Sequence, residues 1–476
     1  MNKRLMMILM IILLLITAGC SAPDKPDDSV PVPDETENSK DEYGGGLFDD
    51  TKVHNIEITI AEKDWEDLLE NAADKTKYHC DISIDGEEVK DVSCSAKGNS
   101  SLLMVNDLYD VKRYSLKIDF GRFVDDQKFH GLKKINLQNS FNDSTYLKDY
   151  LCYKMFNKAG VYGPLCSFSF VRVNDEDYGL FLAVEELDKN FLSRIGWKDA
   201  VLYKPDNDIL EADNEDLHKI IVDGYQVIDY SEGAELSYRG EEIENYPDIF
   251  ENNETKAEDE DKLRVIRALK ALCDNRDLEE YLYTDELFRY FALQSFVLNY
   301  DSYMGPMLHN YYLCENKGKL AMFPWDYNTA FATSWARHNQ KESEPIRMVN
   351  YGIDTPLFGT TSEQRPMWNW IVQNPGYLDS YHKAMDEFLE TFFESGEFEK
   401  KMDEMIAMLK PYIEKDPTSF TGAERFSSSA EALKTFCLLR AQSMRKQLDN
   451  KLSTRTDEQI PEERIDASGI TIDDLR

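Results

Sequence analysis

Apolar and polar residues alternate along several short segments in the first half of the chain. The alternation covers residues 55–60, 81–86 and 114–120, and it predicts half-buried β-strands separated by turns. Two more strands are predicted at 168–173 and 178–184, on either side of a short turn rich in Asn and Asp. The region 53–204 is therefore predicted to be mainly β-structure.

One helix interrupts these strands. Asp143 and Ser144 are typical of a helix N-terminus, and Gly160 of a residue just past the end, so a helix is predicted from Ser144 to about Lys158. Its apolar residues recur at helical spacing and define one buried face. They are Tyr146, Leu147, Tyr150, Leu151 and Met155.

The second half of the chain has helical periodicity. Apolar residues at a spacing of three to four predict the following helices: 263–272, 287–298, 377–393, 398–413 and 430–448. An acidic segment, 205–262, with few core residues separates this α-rich region, 263–450, from the β-rich one and is predicted to be an insertion or linker. The polar segment 451–476 is predicted to be disordered. The fold class is accordingly α+β.

The N-terminal residues have the features of a lipoprotein export signal. Residues 1–19 carry Lys3 and Arg4, then an apolar run, then small residues before Cys20. The pattern is similar to a bacterial lipobox, which implies a lipid anchor on Cys20. A plain cleaved signal or a short membrane anchor is the alternative. Residues 20–50, rich in Pro, Asp and Gly, are predicted to be a flexible tether between membrane and folded body.

Charge and cysteine content exclude several functions. The formal net charge of −36 opposes binding to nucleic acid, because that requires an extensive basic surface. No Cys-x-x-Cys spacing is present, so zinc is not expected. Seven cysteines besides Cys20, an odd number, leave at least one thiol unpaired within a monomer outside the cell. A Cys80–Cys94 disulfide is conceivable, although small buried thiols are the simpler interpretation.

The segment 299–331 carries the main candidate chemistry. Asp301 precedes a predicted β-hairpin, Asn310 lies at its entrance and Asp326 at its exit. A protein kinase has an Asp, an Asn and a second Asp in this order around its Mg-ATP site. Asp301 is thus the candidate catalytic residue, and Asp326 and Asn310 are candidate metal ligands. The alternative is an aromatic hairpin with flanking acids as turn caps; His309 is expected to pack or cap rather than to catalyse.

Three features upstream match a nucleotide site. Lys117, on a predicted strand, lies where a kinase lysine binds phosphates, although no glutamate partner occurs in the helix that follows. Glu185, at the end of the last strand before the linker, is a candidate for contact with the nucleotide. Gly98, Asn99 and Ser100 form a turn whose N–H and hydroxyl groups can bind phosphate. A solvent-facing lysine, an exposed strand-end acid and a plain turn are the respective alternatives.

Five motifs in a fixed order resemble the CotH (spore coat protein H) kinase family over residues 53–450. They are Lys97-Gly98-Asn99-Ser100-Ser101, residues 114–118, residues 143–149, residues 178–185 and the segment from Asp301 to Asp326. The resemblance implies an atypical protein-kinase-like, two-lobed fold with a β-rich small lobe and an α-rich large lobe. It also implies ATP with Mg²⁺ or Mn²⁺.

The expected function is transfer of the γ-phosphate of Mg-ATP to Ser or Thr of a protein. The substrate is expected to be a basic, Ser-rich spore coat or cell-surface protein, and the location extracytoplasmic, lipid-anchored to the cell membrane or associated with the spore. The alternative is a catalytically weak kinase fold that serves as a surface binding or adhesion module.

Overall fold

The alternating segments form a closed barrel of seven strands. In the computed structural model the order around the barrel is β1-β2-β3-β4-β5-β7-β6, closed by parallel pairing of β1 with β6. The strands are β1 (His54–Ile60), β2 (Tyr78–Ile84), β3 (Glu87–Lys97), β4 (Ser115–Asp119), β5 (Lys134–Gln138), β6 (Cys166–Val173) and β7 (Glu176–Glu185). β1 alternates strictly between buried and exposed residues, as its sequence predicts.

The structure describes residues 43–98, 100–108, 111–206, 231–334 and 344–476, all in one compact unit. Predictions for the signal segment, for Cys20, for Asn99 and for most of the tether lie outside these ranges. Residues 43–50, predicted as part of the tether, are packed: Leu47 and Phe48 are buried, and Gly44 N–H donates to the carbonyl of His130. Leu47 and Phe48 are large apolar side chains in a segment whose composition is otherwise mostly polar.

The first long helix begins later than predicted, at Lys148 rather than Ser144, and ends at Lys158. The Asp143 carboxylate accepts the backbone N–H groups of Thr145 and Lys148, both at 3.0 Å. Tyr146 adopts a left-handed conformation with φ of 57°, which no helix tolerates. Local side-chain bonding thus replaces the first predicted helical turn.

A small sheet carries the predicted hairpin. β9 (Tyr311–Asn316) and β10 (Lys319–Pro324) pair antiparallel around the turn Lys317-Gly318, and β8 (Val201–Tyr203) adds to β9. Both turn residues have positive φ, as a tight two-residue hairpin turn requires.

Helices make up most of the remainder. They are Glu62–Glu70, Ser100–Leu108, Lys189–Arg194, Pro247–Phe250, Asp259–Asp274, Leu278–Tyr281, Thr284–Val297, Pro345–Val349, Pro366–Val372, Pro375–Phe388, Glu397–Glu414 and Ala423–Leu448, with a π-helical stretch at Leu389–Glu394. Within the ranges given above, no helix is long and apolar enough to cross a membrane.

The described part of the acidic segment 205–262 is better packed than its composition suggests. Tyr246, Glu235 and Asp248 are buried, and the Asp248 carboxylate accepts from Ser231 Oγ and from the backbone of Glu232. Buried acids here are stabilised by hydrogen bonds rather than by apolar contacts, which is why hydropathy misses them.

The segment after Lys451 is folded against the helical region, contrary to the predicted disorder. Ile472 and Leu475 are buried, and Thr471 caps a short 3₁₀ helix, Ile472–Leu475. A few buried side chains fix this polar segment, and their spacing is too sparse for a periodicity signal. Among the cysteines described, Cys80 and Cys94 included, all are free thiols and only Cys273 is exposed.

Candidate functional site

A cavity of about 490 Å³ lies between one face of the barrel strands β3, β4 and β5 and the β9–β10 hairpin. Its lining includes five of the predicted site residues: Gly98, Lys117, Asp301, Asn310 and Asp326. Residues almost 230 positions apart in the chain therefore meet around one space. Glu185 is not among the lining residues.

Asn310, at the entrance of the hairpin, is hydrogen-bonded to Asp301. Asn310 adopts a left-handed conformation with φ of 56°, which Asn tolerates better than most residues. Its Nδ2 donates to the carbonyl oxygen of Asp301 at 2.8 Å and to the Oδ2 atom of the same residue at 3.1 Å. The amide oxygen of Asn310 remains available to a cation, since only the nitrogen is used in these bonds.

Asn299, which sequence reasoning missed, joins the two candidate carboxylate segments. Its Oδ1 accepts the backbone N–H of Asp301 at 3.2 Å, and its Nδ2 donates to the carbonyl of Asp326 at 3.1 Å. The Asn299 side chain is fully buried. One amide therefore fixes the separation of the segments that carry Asp301 and Asp326. Its place two residues before Asp301 is the only signal in the sequence, and it is shared by ordinary turn asparagines.

Asp326 is set by contacts with the Lys148–Lys158 helix. Its backbone N–H donates to the hydroxyl of Tyr153 at 3.0 Å, and its φ is 55°. The following N–H, of Tyr327, donates to Asp149 Oδ1 at 2.6 Å. Asp326 Oδ1 is buried and has no hydrogen-bond partner among the described atoms. A buried carboxylate oxygen without a partner is costly unless a cation or water binds it.

The acids around the cavity are electrostatically coupled. Burial raises the pKa of Asp301 to about 6, and the charge of Asp326 adds to this effect while His309 and Asn310 oppose it. Burial likewise raises the pKa of Asp149 to about 7, with a further contribution from Asp326. Carboxylates crowded in this way favour binding of a cation, which relieves their repulsion. The sequence marks Asp149 only by its place in the predicted helix.

The phosphate-binding candidate Lys117 has an acidic partner, although not on the helix. Its Nζ lies 2.7 Å from Oε1 of Glu186, whose other oxygen accepts from Asn136 Nδ2. Burial alone would raise the pKa of Glu186, but the charge and hydrogen bond of Lys117 outweigh it and lower the pKa to about 2. Glu186 is thus ionised and lines the cavity.

Glu185 has a different place from the one predicted. It is fully buried, pairs with Arg194 at 2.7 Å and accepts the backbone N–H of Leu165 at 3.0 Å. Successive side chains of a strand point to opposite faces, so neighbouring glutamates at the end of β7 face different surroundings. The sequence contains both residues, but only the register of β7 decides which one meets Lys117.

The Gly98 turn borders the same cavity. Gly98 has φ of 125°, and a side chain there would collide with Ser101 Oγ. Lys97 precedes it, with Nζ 5.0 Å from the centre of the Trp325 ring. The helix Ser100–Leu108 starts at this turn, and the N-terminus of a helix favours anions. The side chain of Ser100, like Asn99, is outside the described part.

Lysines are concentrated around this space in an otherwise acidic protein. Those that line the cavity are Lys75, Lys77, Lys97, Lys117, Lys134 and Lys204. Burial lowers the pKa of Lys75, and the charges of Lys204 and Lys117 lower it further, so these three cations are close enough to repel one another. Such a cluster suits a polyanion such as a triphosphate.

The residues present also fit a divalent cation. Mg²⁺ is usually bound by one or two carboxylates and completes its octahedron with phosphate oxygens and water. Asp326, through its buried Oδ1 atom, and the amide oxygen of Asn310 supply such protein ligands. No cluster of three or more His, Cys, Asp or Glu ligands occurs in the described part, so an all-protein cage is absent from that part.

The structure is a mixed α and β fold in which one cavity lies between the β-barrel and a hairpin flanked by the candidate carboxylates. The family model described as CotH kinase protein matches residues 95–444, and the chain belongs to this family. The inner spore coat protein H of Bacillus subtilis (strain 168) is 22% identical over 342 residues, which cover 71% of this chain and 84% of that protein. The resemblance read from the motifs is thereby confirmed.

Proposed function

We propose that this chain is an extracytoplasmic, protein-kinase-like phosphotransferase with two lobes, which transfers the γ-phosphate of ATP to Ser or Thr of a protein. The observation that supports this best is the convergence of Asp301, Asn310 and Asp326 on a cavity whose opposite wall carries the Lys117–Glu186 pair. Carboxylates that can hold a cation, in one cavity with lysines that can hold phosphate, suit a metal-bound triphosphate. Membership of the CotH kinase family supports the same reaction class.

Each residue has a defined part in this proposal. Lys117, fixed by Glu186, binds phosphate oxygens, and the Gly98 turn presents N–H groups to them. Asp326 and Asn310 bind Mg²⁺ or Mn²⁺. When bound, that cation neutralises charge on the phosphoryl group being transferred.

Asp301 orients the acceptor hydroxyl. The hydroxyl oxygen forms a bond to the γ-phosphorus while the bond from that phosphorus to the bridging oxygen of ATP breaks, and ADP leaves. The hydroxyl proton passes to the Asp301 carboxylate. Burial, which raises the pKa of Asp301 to about 6, makes it a better proton acceptor than an exposed aspartate while it stays mostly ionised at neutral pH.

The protein substrate is proposed to be basic and rich in serine. The net charge of −36 attracts cationic partners and increases their rate of encounter. The similarity to a protein named for the inner spore coat favours a coat protein as substrate and association with the spore. A lipid on Cys20 would hold the enzyme at a membrane.

A direct assay tests the proposal. The purified chain is incubated with labelled ATP, Mg²⁺ or Mn²⁺ and a basic Ser-rich protein, beside the variants Asp301→Asn and Asp326→Asn. We expect incorporation with the wild type alone. Thermal stabilisation by Mg-ATP should persist in Asp301→Asn and be lost in Asp326→Asn.

Incorporation equal to that of the variants would overturn the kinase proposal. If Mg-ATP still stabilised the wild-type protein, the second candidate, a nucleotide-binding surface module, would replace it. A ligand at a hundred times its Kd adds about 2.7 kcal/mol of stability, so the thermal measurement is sensitive enough to separate the two.

A further inference from the structure

We propose that the segment Ile470–Arg476 is a latch that positions the metal-binding carboxylate, with Arg476 as its positioning residue. The part it holds is the Asp326 loop, defined here as residues 326–334. This inference rests on the proposed function of Asp326 as a metal ligand. The latch lies beyond residue 444, where the match to the family model ends.

The contact between the latch and the loop is direct. Arg476 donates to the carbonyl oxygen of Thr333, from Nη2 at 2.7 Å and from Nε at 3.3 Å. The hydroxyl of the same threonine accepts from Lys148 Nζ at 3.1 Å. Lys148 Nζ also donates to the carbonyl of Asn328 at 3.2 Å, two residues from Asp326. Two cations on different elements thus bind the two ends of one short loop.

The loop needs such external contacts because its backbone is held in an unfavourable conformation. Phe331 and Ala332 are consecutive non-glycine residues in the left-handed region, with φ of 57° and 62°. Their N–H groups donate to the carbonyls of Val297 and Leu298, just before Asn299. Such conformations persist only where surrounding contacts fix them. At the other end of the loop, Asn299 Nδ2 donates to the carbonyl oxygen of Asp326.

The latch itself is firmly seated. Leu475 is fully buried and Ile472 nearly so, and Thr471 and Asp474 form a reciprocal capping box. Arg425, in the helix Ala423–Leu448, donates to the carbonyl of Asp473. The segment therefore binds the helical region independently of Arg476, and removal of the Arg476 side chain should loosen the loop without displacing the segment.

Lys148 cannot replace Arg476. Burial lowers the pKa of Lys148 to about 8, an effect that Asp143 opposes and the nearby Arg476 charge reinforces. Its three acceptors are the carbonyls of Asn142 and Asn328 and the Thr333 hydroxyl, which match the three donors of an ammonium group. The Thr333 carbonyl is consequently left to Arg476.

The test compares Arg476→Ala with Arg455→Ala, a matched control in the same terminal region whose partners are the surface acids Asp457 and Glu458. Hydrogen exchange of residues 327–334 reports the latch, and titration with Mn²⁺ followed by electron paramagnetic resonance reports the metal site. We expect Arg476→Ala alone to lose protection in the loop and to bind Mn²⁺ roughly tenfold more weakly. Arg476→Lys should recover part of the protection in the loop and part of the Mn²⁺ affinity.

Unchanged hydrogen exchange of residues 327–334 in Arg476→Ala would overturn the proposal that Arg476 holds the Asp326 loop. Faster exchange with unchanged Mn²⁺ affinity would overturn the positioning role. Wild-type protein that binds no Mn²⁺ would overturn the metal role of Asp326 and the positioning inference with it, while the exchange data would still decide whether Arg476 holds the loop. Equal melting temperatures of the two alanine variants would verify that loss of fold is not the cause.

Discussion

Lys117 on β4 and Glu186 just beyond β7 form an ion pair with 2.7 Å between Nζ and Oε1. Lys117 lies on the cavity wall opposite the hairpin carboxylates, and the pair supplies the acidic partner that the following helix lacks. A strand-end glutamate can orient the lysine as well as a helix glutamate would, because both fix its Nζ relative to bound phosphates.

Neutralising Glu186 should weaken nucleotide binding. In Glu186→Gln, Lys117 loses its charged acceptor and its fixed orientation, at a cost of about 1.5–3 kcal/mol, or roughly 10- to 100-fold in Kd for ATP. Titration with a fluorescent ATP analogue measures this. Glu185→Gln is the matched control: it breaks the Arg194 pair outside the cavity and should reduce stability with little effect on Kd. Equal effects of the two variants on Kd would refute the assignment.

Removing the Asn299 amide should separate the carboxylate segments. Asn299→Ala loses the bonds to Asp301 N–H and to the Asp326 carbonyl, so we expect lower Mg²⁺ affinity and lower kcat together with a loss of stability of about 1–3 kcal/mol. Asn350→Ala provides a comparison, because that buried amide also donates to two backbone carbonyls, those of Ile346 and Ile465. Asn350→Ala should lose as much stability as Asn299→Ala and leave Mg²⁺ affinity unchanged. If Asn350→Ala also lowered Mg²⁺ affinity, the effect of Asn299→Ala could not be assigned to its bonds with Asp301 and Asp326.

Lys204 should contribute to binding of the triphosphate. It lines the cavity and lies 5.9 Å from the centre of the Tyr312 ring. Lys204→Met keeps most of the side-chain volume and removes the charge, so Kd for ATP should rise about fivefold or more while Kd for AMP changes little. Isothermal titration with both nucleotides is the measurement, and Lys198→Met on the exposed surface is the control. Equal losses for ATP and AMP would place Lys204 away from the β- and γ-phosphates.

Glu286 should make stability fall as pH rises. Burial raises its pKa to about 8, and its oxygens lack well-formed hydrogen bonds within the described residues, although the backbone of Tyr162 lies near. An acid whose folded pKa exceeds its unfolded value binds more protons when folded. The free energy of unfolding therefore decreases between about pH 4.5 and 8, on the order of several kcal/mol, and the loss is complete above pH 8.

Urea unfolding of Glu286→Gln at pH 5 and pH 8 checks this. The variant should resemble wild type at pH 5 and be the more stable protein at pH 8. Glu315→Gln should behave differently. Glu315 is also buried, but it pairs with Arg264 at 2.8 Å, so its neutralisation should lower the stability of the protein at both pH values. If the free energies of unfolding of wild type and Glu286→Gln differed by the same amount at pH 5 and at pH 8, Glu286 would not be the group that makes stability depend on pH.

Much of the local structure follows from residue order. The hairpin, the strands β1 and β7 and most of the longer helices occur where periodicity places them, because that periodicity is a property of neighbouring residues. β3 and β5 were not predicted. β3 begins with charged residues at its exposed end, and its buried end alternates with the small residues Cys94 and Ala96. β5 alternates over only five residues with two large apolar side chains, Ile135 and Leu137, so neither strand gives a strong apolar signal.

The sequence by itself determined the family, the α+β composition and the order of Asp301, Asn310 and Asp326, because motifs and periodicity are properties of neighbouring residues. Tertiary structure alone decided that Glu186 rather than Glu185 meets Lys117, since strand register reverses the two faces with a shift of one residue. It also decided that residues 470–476 fold back onto the Asp326 loop. That contact joins residues 143 positions apart, and no local pattern encodes a hydrogen bond whose acceptor is a backbone carbonyl.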